Sequence, residues 1–409
     1  MFMLLQRSRH VFLTGPGAIF ITLIIVSGCL SGSDTESSST AKSTGDVIHV
    51  HEGDDIQVAL DQAAETGCQR IVVHEGTYRP TEPGQALIYM NHRHDRIHIV
   101  GDGDVILRGD NETIANPDAP TFPAVVNHVV YFGDGITNAT ILEGVRITGA
   151  NGFRTEKNTD QMQPDTGLEQ LARDQFFYSD GGGIKIFGRS YPTLINLVVE
   201  HNLARPCGGG VSVEHRGFRN HAVKFRDCVF RNNSCQLTGA GVDVLPASAA
   251  TFENCLFAGN RGNCGEDDVS PEGRDYNATN GSGALTVFPE SRVSLDRCTF
   301  TDNRNGVDDK GRGNTYSHCL FWQNTVAGGT STGTRYEMDI IHAVNVHRCH
   351  IGGIEPDLRG SIDPTANELA IADPLFDAEY VPQCTGLEGI GYRPVAPKSF
   401  SDTRTQQRQ

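Results

Sequence analysis

The chain has 409 residues, with 34 Lys and Arg against 50 Asp and Glu and a formal net charge of −16. So acidic a balance gives no electrostatic reason to seek nucleic acid, whose binding rests on Lys and Arg neutralising phosphates; divalent cations and neutral or cationic partners are easier to accommodate. Forty-six glycines, 38% apolar and 21% charged residues predict a turn-rich folded body and exclude wholesale disorder.

Residues 1–28 have the layout of an export signal, with Arg7, Arg9 and His10 ahead of an apolar run from Val11 to Val26 that is broken at Gly15, Pro16 and Gly17. Its unbroken part, Ala18 to Val26, is far shorter than the roughly 20 residues a membrane-spanning helix needs. Val26-Ser27-Gly28-Cys29 resembles the lipobox of bacterial lipoproteins. That resemblance implies cleavage before Cys29, a lipid on its thiol, and an exported protein held at a membrane of the cell envelope. Leu30 and Ser31, with no aspartate, resemble lipoproteins forwarded to an outer membrane. A Ser/Thr-rich tether is expected over 29–45; without Arg7 and Arg9 the balance is 32 basic against 50 acidic residues, a net charge of about −18.

The folded domain is expected over 46–395, with a disordered tail over 396–409. Helical periodicity appears in two segments, Ile56 to Thr66 and Gly167 to Phe177. The first precedes a strand, Ile71 to Tyr78. Further on, one template recurs: apolar-x-x-Cys-x-Phe-x-x-Asn. It reads from Phe225 through Cys228 and Phe230 to Asn233, and again through Cys255, Phe257 and Asn260, through Cys298, Phe300 and Asn303, and through Cys319, Phe321 and Asn324. Leu194, Leu197, Val199 and Asn202 keep the phase without cysteine, and Val346, Cys349 and Ile351 extend it. Between copies lie glycine-led strands, Gly181-Gly182-Gly183-Ile184, Gly208-Gly209-Gly210-Val211, Gly239-Ala240-Gly241-Val242 and Gly281-Ser282-Gly283-Ala284.

Two or three short strands in each unit of some 20 to 30 residues describe the coils of a parallel β-helix, an all-β solenoid in which each coil gains a core only by stacking on the next. The fold expected is a right-handed single-stranded parallel β-helix with a short N-terminal capping helix. Stacking would align the cysteines in one interior column, the phenylalanines in a second, and the asparagines in a turn where Asn tolerates left-handed backbone and can hydrogen-bond along the stack. The capping helix followed by a strand ending in Gly76-Thr77-Tyr78 resembles the entry of pectin-lyase-like β-helices. The Phe-x-x-Asn and Gly-Gly-x-apolar pairing resembles the passengers of polymorphic membrane proteins, and Asp373-Pro374-Leu375-Phe376 resembles the tail of secreted bacterial right-handed β-helix proteins. These resemblances imply a fold; β-helices host many activities and none. Neither the carboxylate clusters of polygalacturonase-like hydrolases nor the arginine motifs of pectate lyases are recognisable in the sequence.

Apart from Cys29 and the column, Cys68, Cys207, Cys235, Cys264 and Cys384 remain. Cys207, Cys235 and Cys264 fall on successive turns where a neighbour disulfide is plausible, though spacing fixes no pairing. His92 and His94 alternate along a strand-like segment, and Asp308 with Asp309 reads as a turn. Aligning the glycine strands puts Lys185, Ser212, Asp243 and Thr286 at one outward, solvated position on successive coils, with Glu214 two positions on and His215 and Arg216 at the strand end. A polysaccharide lyase needs a base to take a proton α to a carboxylate and a cation to hold the resulting charge. Lys185 or Arg216 is the candidate base and Asp243 a catalytic partner. Glu214 and His215 are candidates for substrate contact, and Asp243, Glu214 or the loop acids Glu266, Asp267 and Asp268 are candidate oxygen ligands for Ca²⁺. The favoured expectation is nevertheless a non-catalytic, membrane-anchored envelope β-helix that binds carbohydrate or another surface component, with a lyase or hydrolase acting on acidic polysaccharide as the alternative.

Overall fold

The computed structural model describes residues 47–155, 179–262, 283–324, 336–342, 345–352, 358–359, 366–369 and 372–395, all within the compact unit Thr40–Gln409. The expectations for Cys29, Cys264, the helix at 167–177, the carboxylates Glu266, Asp267 and Asp268, and the tail beyond 395 lie outside these residues.

The helix Ile56–Thr66 forms as the periodicity predicts. Asp55 caps it by accepting from the amides of Gln57 and Val58, and Gly67 ends it at φ 72°. Ile56, Ala59, Leu60 and Ala63 are buried against the first coil. From there the chain winds through three faces whose strand pairings are all parallel. One face runs from Ile48–Val50 and Arg70–Tyr78 through Val223–Arg226 to Asn345–His347. A second carries the Cys-x-Phe segments, among them Val229–Arg231, Leu256–Ala258, Thr299–Thr301 and Leu320–Trp322. The third is the glycine face, comprising Gly84–Met90, Val126–Phe132, Ile184–Phe187, Val211–Glu214, Val242–Val244, Leu285–Val287, Val307–Asp309, Met338–Ile340 and Leu358–Arg359.

The repeat's columns form as expected. Cys228, Cys255, Cys298, Cys319 and Cys349 are fully buried, and each thiol donates to the carbonyl two residues earlier. Phe230, Phe257, Phe300 and Phe321 stack at centroid separations of 4.8, 4.3 and 4.9 Å, a geometry that adds roughly 0.5–1.5 kcal/mol per pair beyond burial. Asn202, Asn233, Asn260 and Asn303 each donate from Nδ2 to the Oδ1 of the next ladder asparagine, the last of these acceptors being Asn324. One detail differs from expectation: the left-handed residue is the one before each ladder asparagine, namely His201, Asn232, Gly259, Asp302 and Gln323. A second left-handed residue, such as Asp227, Asn254 or Arg297, precedes each column cysteine. The asparagine is thereby turned inward to bond along the axis.

Glycine explains the junction into the third face. Gly181, Gly208 and Gly239 have φ of 83°, 64° and 64°, and a Cβ on Gly183 would lie 2.6 Å from the Gly210 carbonyl oxygen, with the same clash repeated from Gly210 to Gly241 at 2.5 Å. Side chains are excluded there by the approach of successive coils.

Three further expectations are corrected. His92–His94 is a 3-10 turn rather than a strand, closed by Asn91 capping and by His94 bonding Asp61 at 3.0 Å. Asp308 and Asp309 belong to the strand Val307–Asp309 and are buried. Cys207 and Cys235 are free thiols engaged with Thr238, so no disulfide joins them.

Candidate functional site

Alternation along the glycine face sends Ile186, Val213, Val244 and Val287 into the core and their neighbours outward. The register places Lys185, Ser212, Asp243 and Thr286 side by side, as the alignment of the glycine strands predicts, and continues to Asp308 and Asp339. Tyr131 and Tyr89 extend the column the other way with rings stacked at 5.1 Å. The expected solvation is corrected: Lys185, Ser212, Asp243, Thr286 and Asp308 all have 0% exposure.

Burial decides their electrostatics. Lys185 Nζ lies 2.7 Å from Asp180 Oδ2, 2.6 Å from Glu214 Oε2 and 3.3 Å from Ser212 Oγ, and Ser212 donates to the same Asp180 oxygen. Burial works against the ammonium, but the two carboxylates outweigh it and hold its pKa above the ordinary lysine value. Glu214 is shifted upward by burial against the pull of Lys185, whereas Asp180, buried too, is drawn down by Lys185 and Ser212. Lys185 and Asp180 are therefore the ion pair, and Glu214 is the carboxyl that takes up a proton first.

Asp243 accepts from Thr238 Oγ1 at 2.9 Å through Oδ2, while its Oδ1 is buried without a hydrogen-bond partner; burial pushes its pKa up to about 7. Asp308 repeats the pattern two rungs away, roughly 9.6 Å along the stack. Its Oδ2 is 3.5 Å from the Tyr336 hydroxyl, its Oδ1 has no partner, and burial raises its pKa to about 7. Two buried histidines stay neutral. His128 Nδ1 donates to the Gly181 carbonyl at 2.6 Å, and burial lowers its pKa to about 3. His215 donates from Nε2 to the Ser190 carbonyl at 3.0 Å and accepts the Ala249 amide at Nδ1, and burial lowers it to about 4. Its ring ties coils together, with both nitrogens used. Arg216, at φ 52°, lies over the Phe187 ring at 5.6 Å.

An open concavity lies beside this column. A groove of about 1000 Å³ is lined by Phe153, Arg154, Arg205, Pro206, Asn116 and Gln236, among others. Arg154 donates to Ser179 Oγ at 3.0 Å, and Ser179 donates to the Arg205 carbonyl. Ser179 directly precedes Asp180, so the groove wall and the buried cluster are joined by consecutive residues. Among the described residues neither arginine has a carboxylate partner, and Arg205 Nε is buried without a hydrogen bond. Sequence reading missed this pair, because the two arginines are 51 positions apart and only the coil stacking unites them. Asp180 was detectable as a charge abutting the Gly181-Gly182-Gly183 run.

Among the described residues no three His, Cys, Asp or Glu side chains converge as a metal site, and no helix is long and apolar enough to cross a membrane. Residues 136–267 match the family model of the right handed beta helix region. No curated protein and no solved structure gives a match. Together with the parallel stacked strands and, among the described residues, one α-helix near the start, that match identifies the fold as a right-handed parallel β-helix.

Proposed function

We propose that this β-helix is an exported envelope protein, tethered to a membrane through a lipid on Cys29, that binds an acidic polysaccharide in the Arg154–Arg205 groove without altering it. The observation that carries the reading is the pair of arginines that have no carboxylate partner among the described residues, in a chain with a formal charge of −16. In so acidic a molecule, uncompensated guanidinium groups in a concavity favour an anion from outside, and a uronate carboxylate matches the guanidinium fork. Phe153 and Pro206 offer apolar surface to sugar rings, and Asn116 and Gln236 offer amides to hydroxyls.

The test is calorimetric titration of the full chain carrying Cys29→Ser with a polyuronate and with a neutral glucan. The polyuronate should bind, more weakly as salt rises, and Arg205→Gln or Arg154→Gln should weaken it at least tenfold. Equal binding of the neutral glucan, or indifference to both substitutions, overturns the proposal.

A second reading, a lyase or hydrolase acting on the glycine face, is favoured by Asp243 and Asp308. Each has an unbonded oxygen and a pKa of about 7, the range useful for general acid–base work. In it Glu214 or Asp243 would exchange the proton, since the carboxylates around Lys185 hold its proton in place and a guanidinium such as Arg216 does not release one. The calcium expected at Glu266, Asp267 and Asp268 belongs to this reading. New unsaturated-product absorbance or reducing ends, lost in Asp243→Asn, would establish it over simple binding.

A further inference from the structure

One edge of the solenoid reverses the charge balance of the chain. It is built from the eight turns that leave the glycine face for the first face, beginning with 91–97, between Gly84–Met90 and His98–Arg108, and ending with 341–344, between Met338–Ile340 and Asn345–His347. These turns hold seven Lys and Arg against three Asp and Glu, whereas the whole chain holds 34 against 50. Parallel register stacks them. The turn of Arg93 is six coils from that of Arg312, a stripe of about 29 Å at about 4.8 Å per coil.

Two of the three acids are occupied within the wall. Asp134 is buried and accepts the Arg189 amide, and Asp95 Oδ1 accepts from the Thr137 and Thr140 hydroxyls at 2.8 and 2.9 Å. Glu290 is exposed. On the basic side, Arg312 is exposed and Arg189 and Arg219 are partly exposed, and none of the three has a carboxylate partner among the described residues. The Arg189 guanidinium lies over the Phe218 ring of the next coil at 4.2 Å, which fixes its position on the edge. One coil beyond Arg312, Ile341 is 54% exposed, one of four large apolar side chains so open among the described residues.

That combination selects the partner. A polyanion in water would use the arginines and gain nothing from Ile341, whereas a bilayer with anionic headgroups rewards both, through phosphates for the guanidinium groups and an acyl boundary for the apolar side chain. The net charge of −16 does not oppose contact through this edge. Screening acts over about 8 Å at physiological salt and packed sheets are about 10 Å apart, so acids on the far side of the coils are hidden from a surface that touches the turns.

We propose that this edge rests on an anionic phospholipid surface, with Arg189, Arg219 and Arg312 on headgroup phosphates, Ile341 at the acyl boundary, and the solenoid axis parallel to the membrane. The Arg154–Arg205 groove takes no part, since Arg205 and Pro206 lie on the turn that enters the glycine face at its other margin.

Residues 1–28 fall outside the compact unit Thr40–Gln409, so the chain from residue 29 on, carrying Cys29→Ser, keeps every described contact and lacks the apolar leader. It should co-sediment with vesicles of phosphatidylglycerol and phosphatidylcholine, less as salt rises, and far less with phosphatidylcholine alone. Arg189→Gln, Arg219→Gln and Arg312→Gln together should weaken that binding at least tenfold. Ile341→Ser should weaken it severalfold with the salt dependence kept, and Arg154→Gln with Arg205→Gln should leave it unchanged. The substituted edge side chains are all at least partly exposed, so circular dichroism should show the variants folded. Binding of the edge triple equal to the parent's, or equal binding to both kinds of vesicle, overturns the proposal. So does a polyuronate that displaces the protein from vesicles and whose own binding is lost in the edge triple, because the edge is then a polysaccharide site. Polyuronate binding lost only in the groove variants leaves the two sites separate and supports it.

Discussion

Glu337 closes the asparagine ladder: Asn324 donates its backbone amide to Glu337 Oε1 at 3.1 Å and its Nδ2 to Oε2. Each earlier rung uses an asparagine oxygen for both bonds, as Asn260 accepts the Asn233 amide and Nδ2, each at 3.1 Å. An asparagine inside the ladder therefore serves two coils. Asn260→Ala leaves the Asn233 amide without its acceptor, removes one of the two acceptors of Asn233 Nδ2, which keeps the Val199 carbonyl, and takes a donor from the Phe230 carbonyl; since an unmet buried group costs about 1–3 kcal/mol, the loss in urea unfolding should reach about 2 kcal/mol or more. Glu337→Gln keeps an acceptor for Asn324 and should cost less than Glu337→Ala. Equal losses would mean that the ladder does not depend on its terminal acceptor.

The Lys185 cluster predicts a non-additive series. Lys185→Met leaves Asp180 buried without its cation, and breaking a buried pair from one side typically costs about 3–5 kcal/mol. The triple variant Lys185→Met, Asp180→Asn, Glu214→Gln removes all charge and should recover most of that loss. Thermal unfolding of the four proteins, the parent, Lys185→Met, the carboxylate double and the triple, separates the cases. If Lys185→Met alone is neutral, the cluster is not the closed ion network its distances describe.

Most of the architecture was legible because it is repetitive. A template recurring in four intact copies fixes which residues share a column, and one register then propagates along the stack. What was illegible depends on neighbours from distant coils. Outwardness of Lys185 and Asp243 follows from alternation, but their burial does not, since a period of two distinguishes core side from outer side and says nothing of what packs outside. Asp309 shows the same limit: it occupies the inward position of Val287 and is satisfied there by Asn314 and by the Tyr316 hydroxyl at 2.8 Å, partners that only the folded coil brings together. The His74 ring meets those of His49 and His51 at centroid separations of 5.2 and 4.3 Å, a contact between coils that only the His49-Val50-His51 spacing hints at in the sequence.

The raised carboxylates give the protein a pH slope of definite sign. Asp243 and Asp308 ionise near 3.8 when unfolded and near 7 when folded. Between those values the folded state holds the extra proton, so stability declines as pH rises from about 4 to about 7 and then levels off. Asp243→Asn and Asp308→Asn should each flatten this decline. Both should be more stable than the parent at pH 8 and close to it at pH 4. Denaturant midpoints at the two pH values are the measurement, and an asparagine variant less stable at pH 8 would mean that the ionised carboxylate is favourably held.

The cysteine column makes a prediction about reactivity. A thiol must reach solvent as thiolate to react, and Cys228, Cys255, Cys298, Cys319 and Cys349 are all sealed in the core; burial holds the Cys255 and Cys319 thiols well above the usual range, and although their hydrogen bonds pull Cys298 down against burial, it has no access to reagent. Cys68 and Cys384, by contrast, are partly exposed. Brief treatment of the native protein with a thiol-alkylating reagent, followed by peptide mapping, should modify Cys68 and Cys384 and spare the column. Column peptides should then be modified together, at one rate that follows global unfolding as denaturant rises, because opening any coil exposes the end of its neighbour. Independent labelling of a single column cysteine under native conditions would show that coils open locally, and would place the weakest coil at that residue.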